Sequence, residues 1–417
     1  MMKLTTTQKR QRGLMMISGA FAIFFTGYPH VWSIYQPYVM EQAGWTQGQA
    51  SMCFYLALCT FVFGNIVGGR IQDKRSPRMV VFIGGGIFAA GILLSAFLIV
   101  PSPLPIYLTY GVMQGFGQGM LYITIISTAQ KWFPGRTGFA SGIVVTANGL
   151  CGFFLAPISR QLLEMGGARL TFLVIGAAIT LSWLLSSIFF FAPDKKWRQE
   201  AEAELLKTQG KAAVQKQYSS SEMMRTRDFY LLLATMLCGL VSYFMISPVS
   251  QTHQIELGIP SSIAVGAVMI GSIVNAGTRL VLPALADRVG RVVCIKGVLA
   301  VSVASMAVLC VSRSYAVTAA IILMYGCYGG IMGSFPSFTS SIFGLEHSGE
   351  NYGFVMFGIV IATIAAPAIT GVLTGRGYEM YAVFAAGTVF AVVAFICLQL
   401  LNRQLGRKRA LEMEQER

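Results

Sequence analysis

The chain contains two similar charged loops, GRIQDKRSPR at residues 69–78 and LADRVGR at residues 285–291. Each loop follows a long apolar segment, and the aspartates Asp73 and Asp287 lie about half the chain length apart. A second pair of loops, KWFPGR at 131–136 and IFGLE at 342–346, has a similar separation. Repeated features at this spacing indicate two halves with the same order of elements along the chain.

Twelve apolar segments surround these loops, each about 20 residues long, which is enough to cross a bilayer. Of the 417 residues, 55% are hydrophobic and 12% are charged, against about 25% charged in a soluble domain, so an ordinary soluble enzyme is excluded. The first segment is too long for a signal peptide, and no small-residue cleavage site follows it. The segments begin near Leu14, Ala50, Met79, Pro105, Phe139, Leu170, Phe229, Ser261, Val292, Tyr315, Asn351 and Tyr378.

The basic residues are distributed unevenly between the two sides of these segments. The chain has 31 Lys and Arg against 17 Asp and Glu, a net charge of +14, but no domain concentrates this charge as a nucleic-acid-binding surface would. With both termini in the cytoplasm, the outer loops hold only Arg160, Arg169, Arg313 and Arg376, and Arg279 lies within a segment. All other cations fall on the cytoplasmic side, so we expect a multi-pass inner-membrane protein with cytoplasmic termini.

We expect an all-α membrane protein with two six-helix bundles. The boundaries are a cytoplasmic tail 1–13, a first bundle 14–192, a cytoplasmic central loop 193–227, a second bundle 228–402 and a cytoplasmic tail 403–417. The central loop is typical of a solvated linker, with a short surface helix around 200–207 as the alternative. The eight cysteines form no CxxC pair, so we expect no disulfide and no metal site, and no motif indicates a cofactor or a catalytic nucleophile.

Arg279 is the charged residue that the apolar pattern does not explain. All acidic residues fall in loops, tails or segment ends, whereas Arg279 lies near the middle of the eighth segment, where a cation costs about 2.5–3.5 kcal/mol. A suitable partner is an anion that enters and leaves, held by two hydrogen bonds from the planar guanidinium. The alternative is that Arg279 pairs with a helix dipole or with backbone carbonyls and has no role in transport. We interpret Arg279 as the binding residue for an anionic substrate.

Aromatic and polar side chains in the same segments are further candidates for this site. Aromatic rings can shield a small anion from water while phenol and imidazole groups donate hydrogen bonds to it. The alternative is that the rings anchor the helices at the membrane interface. Asn275, one turn before Arg279, is expected to orient the guanidinium or to contact substrate. The candidates on the other segments are Tyr28, His30, Trp32, Tyr35, Tyr122 and Tyr328, whereas His253 and His347 are interpreted as surface residues.

Twelve segments in two sets of six, joined by Asp-Arg-x-Gly-Arg loops, resemble the major facilitator superfamily. Within it, KWFPGRTGFASG at 131–142, NAGTRL at 275–280 and NYG at 351–353 resemble segments of the oxalate/formate antiporter family and related monocarboxylate transporters. The resemblance covers nearly the whole chain except the central loop and tails. It implies two six-helix bundles related by a pseudo-two-fold axis that give alternating access to a substrate site. Ser76 and Pro283 stand where glycines are usual, without altering the fold assignment.

The resemblance also implies roles for individual residues. It places the substrate-carboxylate arginine at Arg279, and residues that line the cavity at His30, Trp32, Tyr35, Tyr122 and Tyr328. Relatives that exchange the dianion oxalate carry a lysine on the eleventh helix, at the position of Ile359 here. One fixed cation matches one carboxylate, so we expect a monocarboxylate substrate. Related proton-coupled carriers have an aspartate at the position of Asn275, so proton coupling would need His30 or a proton carried with the substrate.

The charged loops between the segments have two readings. In the first, Asp73 and Asp287 pair with basic residues and helix ends and hold the cytoplasmic side closed in the outward-open state, together with Arg78, Arg288 and Arg291. In the second, these charges only anchor the helices and satisfy the positive-inside bias. We predict the first role for these five gating candidates.

Taken together, these features predict a secondary transporter of small organic monocarboxylates, such as lactate, pyruvate or formate, and not an enzyme. Protons or a counter-anion are possible second substrates, and we expect a monomer in the lipid bilayer with no nucleic-acid partner. The alternatives are an oxalate/formate-type exchanger, an exporter of another organic anion, and a sensor that binds the anion without moving it.

Overall fold

The computed structural model describes residues 5–194, 196–197, 199–201, 203–204 and 216–415. Contacts divide the chain into two units. Unit 1 comprises Met1–Tyr218 and Ser340–Phe354, and unit 2 comprises Ser219–Thr339 and Val355–Arg417. Every regular element within the described ranges is a helix. In the segment around 200–207, for which the sequence allows a surface helix, residues 200, 201, 203 and 204 are described and are helical, and the other four lie outside those ranges.

The first half of the chain supplies most of unit 1. A 3₁₀ turn, Tyr28–Val31, joins the first two helices, and a π-helical stretch, Tyr107–Gln114, joins the fifth and sixth. The helices are α1 Thr6–Phe25, α2 Trp32–Ala43, α3 Gln47–Lys74, α4 Pro77–Ser95, α5 Leu104–Ile106, α6 Gly115–Trp132 and α7 Thr137–Phe189.

The second half of the chain supplies unit 2 and a short part of unit 1. The end of its sixth helix and nearly all of its seventh belong to unit 1, since that unit includes Ser340–Phe354. The helices are α8 Ser220–Met224, α9 Arg227–Ile246, α10 Ser250–Glu256, α11 Ser261–Val289, α12 Arg291–Val311, α13 Ala316–Phe343, α14 Ser348–Val355, α15 Phe357–Gly375 and α16 Met380–Gln415.

Local sequence signals explain where several helices begin. The hydroxyls of Thr5 and Thr46 accept hydrogen bonds from backbone N–H groups in the first turns of α1 and α3, and the glutamine three residues later completes a capping box in each case. Pro77 occupies the first position of α4, where a missing N–H group costs nothing. These signals place helix starts at the charged and polar boundaries of the apolar segments.

Nine helical stretches among the described residues are long and apolar enough to cross a membrane. One of them, Thr137–Phe189, bends at Gly166 and Gly167, where Gly167 has a φ of 66°, a value that favours glycine. It therefore provides two segments. Two predicted positions remain. The α1–α2 pair, which begins with a basic stretch, occupies one of them, and the α5–α6 pair with its π-helical link occupies the other. Within the described ranges, the helices thus follow the twelve predicted segments.

Glycines allow the helices of unit 1 to pack closely around α6. Nearly every residue of α6 is buried. A Cβ atom at Gly119 would overlap the carbonyl oxygen of Phe61 on α3, and a Cβ atom at Gly64 on α3 would overlap the carbonyl oxygen of Phe116. Only glycine therefore permits this separation of the two helices, as is common where membrane helices pack without a hydrophobic driving force.

Candidate functional site

Arg279 is buried within α11, with 3% of its surface exposed. Its Nε donates a hydrogen bond of 3.0 Å to Oδ1 of Asn275, one helical turn earlier. This bond fixes the plane of the guanidinium, because Nε, Cζ and the two terminal nitrogens are coplanar. The predicted pairing of Asn275 with Arg279 is therefore present in the geometry of unit 2.

Tyr328 of α13 lies beside this arginine. The guanidinium carbon of Arg279 is 5.4 Å from the centre of the Tyr328 ring, within the range of a cation–π interaction. Both side chains are buried, and an aromatic face attracts a cation more strongly when water is excluded. Arg279 is thus held by a carboxamide on its own helix and by an aromatic ring on a neighbouring helix.

Tyr243 of α9 extends this cluster, although the sequence interpretation did not include it. Its ring stacks on Tyr328 with centroids 4.3 Å apart and an angle of 9° between the planes, and its hydroxyl accepts a 3.3 Å hydrogen bond from Ser247. Tyr325 packs edge-on against Tyr243 at 5.5 Å. No sequence signal separates Tyr243 from other tyrosines in the spans, because its position matters only through a contact between α9 and α13.

Glycines on α13 explain why this helix approaches Arg279 so closely. A Cβ atom at Gly329 would overlap the backbone carbonyl of Asn275, and one at Gly333 would lie 2.8 Å from Cα of Arg279. The hydroxyl of Thr278 also donates a 2.9 Å hydrogen bond to the carbonyl of Gly326. The small residues of the tenth span therefore position α13 against the face of α11 that carries Arg279.

Three aromatic candidates of the first span meet in the interior of unit 1. Tyr28, Trp32 and Tyr35 are buried, and Tyr110 packs against both Tyr28 and Trp32 with ring centroids at 6.0 and 4.4 Å. Tyr35 stacks on Phe172 of α7 at 5.1 Å. Sequence spacing alone did not identify Tyr110 and Phe172 as members of the cluster.

The polar atoms of two of these residues have partners inside unit 1. The indole N–H of Trp32 donates a 3.0 Å hydrogen bond to the carbonyl of Ala50, and the hydroxyl of Tyr35 lies 3.2 Å from that of Ser159. The polar groups of these two side chains are therefore already engaged in hydrogen bonds, which leaves their aromatic rings for other contacts. The side chain of His30 lies outside the described part of the structure.

Tyr122 occupies a different part of unit 1. It lies on α6, is 1% exposed, and packs edge-on against Phe61 of α3 with ring centroids 5.3 Å apart. The structure therefore places Tyr122 on the helix around which unit 1 packs and beside α3.

Asp73 forms a buried ion pair at one end of unit 1. Its Oδ1 is 2.7 Å from Nζ of Lys131, with side-chain exposures of 2% and 8%. Its Oδ2 accepts a 3.4 Å hydrogen bond from the backbone N–H of Glu350, in the first turn of α14. A carboxylate is favoured at a helix N-terminus, where backbone N–H groups lack partners. Asp73 thus contacts both a basic residue and a helix end.

A chain of polar side chains continues beside this ion pair. Gln72 donates a 2.8 Å hydrogen bond to Ser127, and the hydroxyl of Ser127 lies 2.9 Å from that of Ser348. Ser340 donates a 2.7 Å hydrogen bond to the side chain of Gln130. These bonds tie the ends of α3 and α6 to the segment Ser340–Phe354, all within unit 1.

The other gating candidates have different surroundings. Asp287 forms an ion pair with Arg291 at 3.0 Å, one turn further along the chain, whereas Arg288 is exposed. Nε of Arg78 donates a 2.7 Å hydrogen bond to the carbonyl of Ser187. Arg78 therefore lies against the end of α7.

The prediction that His253 is a surface residue is wrong. It is 9% exposed and packs edge-on against Phe384 of α16 at 4.8 Å. The reason is the 3₁₀ turn Ser247–Val249, after which α10 continues with His253 directed into unit 2. His347 is half-buried in the connection between α13 and α14.

Curated relatives span most of the chain. It is 28% identical over 85% of its length to the uncharacterised MFS-type transporter YhjX of Escherichia coli, of which the match covers 87%. It is 25% identical over 92% of its length to the oxalate:formate antiporter of Oxalobacter formigenes, with 89% of that protein covered. Human monocarboxylate transporter 11 is 28% identical over 56% of this chain and 47% of its own length.

Solved structures give the fold independently of these names. The Escherichia coli fucose:proton symporter FucP superposes with a TM-score of 0.70 over 93% of this chain and 97% of its own, at 13% identity. The predicted major facilitator fold is therefore confirmed. The profile of the Major Facilitator Superfamily matches residues 15–367. The chain is a multi-pass membrane transporter that belongs to the Major Facilitator Superfamily.

Proposed function

We propose that this transporter moves small organic monocarboxylates, of the lactate, pyruvate and formate class, by alternating access. The observation that carries the proposal is the burial of Arg279 within a membrane-spanning helix, oriented by Asn275 and lying against Tyr328. Ionisable residues inside membrane spans are costly, and they commonly mark the path of a substrate. A guanidinium of fixed plane is suited to a planar carboxylate, which it binds through two parallel hydrogen bonds.

The proposed site distinguishes one carboxylate from two. Ile359 on α15 is 6% exposed and apolar, at the position where oxalate-exchanging relatives are expected to carry a lysine. A second carboxylate would therefore lack a fixed cation from that position, and burying an uncompensated charge is unfavourable. This argument favours lactate, pyruvate and formate over oxalate.

We further propose that the aromatic residues of unit 1 contribute apolar walls to substrate binding. Tyr28, Trp32 and Tyr35 would act through their rings, since hydrogen bonds inside unit 1 already engage the indole of Trp32 and the hydroxyl of Tyr35. Tyr122 and His30 complete the proposed set. A proton carried by His30, a proton carried with the substrate, and a counter-anion are the candidate coupling routes.

The charged loops are proposed to control the conformational cycle. Asp73 would stabilise the closed cytoplasmic side through Lys131 and the N-terminus of α14. The same role is proposed for the other gating candidates, which are Arg78, Asp287, Arg288 and Arg291. The support is the buried 2.7 Å ion pair between Asp73 and Lys131 and the adjoining polar chain. We place both termini in the cytoplasm and the protein in the inner membrane as a monomer, with bundles at 14–192 and 228–402.

Oxalate/formate exchange is the second candidate function. It is favoured by the 25% identity to the oxalate:formate antiporter over 92% of this chain. An exporter of another organic anion and a non-transporting sensor have weaker support.

Counterflow in proteoliposomes separates these functions. Vesicles containing the purified protein are loaded with one unlabelled anion and challenged with the same labelled anion, at two pH values. We expect counterflow with lactate, pyruvate or formate, and little with oxalate. Efficient oxalate–formate exchange would favour the second candidate. Saturable binding in detergent without counterflow of any tested anion would favour the sensor and contradict transport.

A further inference from the structure

A cavity of about 470 Å³ opens on the surface of unit 1, and its lining includes none of the residues proposed for substrate binding. It lies where α4 begins and the second part of α7 ends. Its lining has two chemically distinct parts. The polar part comprises Ser76, Arg78 and Ser187, and the apolar part includes Phe82, Leu184 and Ile188.

Arg78 is held at the polar end of this cavity. Its Nε donates a 2.7 Å hydrogen bond to the backbone carbonyl of Ser187, which restrains a side chain that would otherwise extend into solvent. Arginine has five N–H donors, and this bond uses one of them. The guanidinium therefore brings a positive charge and a planar set of donors to a fixed place on the cavity rim.

The apolar walls are open rather than packed. Phe82 and Ile188 are 55% and 54% exposed, and Leu184 is 43% exposed. Both contributing helices belong to membrane-crossing stretches, so the medium beside these side chains is acyl chain rather than water. A small soluble anion would use the arginine and leave the apolar walls without a partner.

We propose that this cavity binds an anionic phospholipid, with its phosphate at Arg78 and an acyl chain along Phe82, Leu184 and Ile188. The combination of a fixed guanidinium and an exposed apolar groove at the end of a membrane span matches both parts of such a molecule. The lining shares no residue with the proposed transport site, and the proposal does not depend on which anion is transported.

The experiment measures binding of phosphatidylglycerol to the purified, delipidated full chain by native mass spectrometry, with phosphatidylcholine as the neutral lipid. We expect phosphatidylglycerol to bind more tightly, and Arg78→Gln to weaken it about tenfold through loss of a charge-assisted hydrogen bond. Arg75→Gln is the matched control, because Arg75 is an exposed cation three residues earlier that does not line the cavity. Phe82→Ala should weaken binding separately by removing apolar contact.

Four outcomes would overturn the proposal. Equal losses of phosphatidylglycerol affinity in Arg78→Gln and Arg75→Gln would indicate a general attraction of anionic lipid to basic loops. Equal affinity for the two lipids would show that the charge of the lipid does not matter. Displacement of phosphatidylglycerol by millimolar inorganic phosphate would indicate a site for a free anion. If Arg78→Gln is not monodisperse on gel filtration, the test uses Arg78→Lys and Phe82→Ala instead. Unchanged affinity for phosphatidylglycerol in both variants would contradict the proposed site.

Discussion

Tyr243 is linked through Tyr328 to Arg279, the proposed binding residue. Its ring backs Tyr328, and Tyr328 in turn lies against the guanidinium of Arg279. Loss of the stack would let the Tyr328 ring turn and would weaken the positioning of the cation. Tyr243 is therefore a positioning residue for the proposed carboxylate site.

We predict that Tyr243→Leu raises the KM for the transported monocarboxylate by about 2- to 10-fold, since an aromatic pair contributes about 0.5–1.5 kcal/mol beyond its buried area. Tyr243→Phe keeps the ring and should stay close to the wild-type KM. The measurement is initial-rate uptake into proteoliposomes over a range of substrate concentrations. Equal KM values for Tyr243→Leu and the wild type would contradict a positioning role.

At the residue scale, Arg279 can be predicted as a site residue from the sequence, whereas Tyr243 cannot. A single cation in an apolar segment can be recognised from the sequence alone, because the free-energy cost of placing it in the membrane does not depend on which helices surround it. The asparagine one turn earlier is also visible, because helical periodicity places residues i and i+4 on one face. Tyr243 is not, because its contact with Tyr328 joins helices that are distant in sequence.

At the scale of helices and loops, the Asp73–Lys131 ion pair joins α3 to α6. Removing one partner of a buried pair leaves the other charge uncompensated, which costs about 3–5 kcal/mol. Removing both partners leaves neutral groups and costs less. The pair is therefore expected to behave non-additively in a double-mutant cycle.

We predict that Asp73→Asn and Lys131→Gln each lower the thermal melting temperature of the purified protein, and that the double variant loses less than the two single losses combined. Melting can be followed in detergent by intrinsic fluorescence. Arg160→Gln is a suitable control, because its ion pair with Glu164 is largely exposed and should contribute little. Additive losses at Asp73 and Lys131 would contradict a coupled pair.

The apolar segments were predictable at this scale, and some details were not. The start of α4 follows from Pro77, and the break in α7 occurs at the Gly166–Gly167 pair, between the segments predicted near Phe139 and Leu170. The π-helical stretch in the fourth span and the burial of His253 depend on packing against other helices, which periodicity does not encode. Such tertiary effects limit what a single sequence specifies.

For the whole molecule, the proposed orientation rests on the distribution of basic residues. A cysteine at position 160 should react with a membrane-impermeant maleimide in intact cells, whereas a cysteine at position 288 should react only in inverted vesicles. Both Arg160 and Arg288 are exposed, so burial alone does not protect either position. The unmodified protein gives the background labelling from its eight cysteines. The reverse labelling pattern would contradict this orientation and would indicate the opposite topology.

The central claim is that the guanidinium of Arg279 binds a single carboxylate during transport. Its most direct test is counterflow of a labelled monocarboxylate by Arg279→Lys, with Arg169→Lys as the matched control. Arg169 also lies over an aromatic ring, 5.1 Å from the centre of Phe97, but it is exposed and lies in α7 just after the Gly166–Gly167 break. Both variants must first be recovered at wild-type levels as monodisperse protein.

We predict that Arg279→Lys lowers kcat/KM for counterflow at least about tenfold, because an ammonium group does not reproduce the paired hydrogen bonds of a guanidinium. Arg169→Lys should transport as the wild type does. Wild-type counterflow by Arg279→Lys, and by Arg279→Gln in the same vesicles, would contradict the claim.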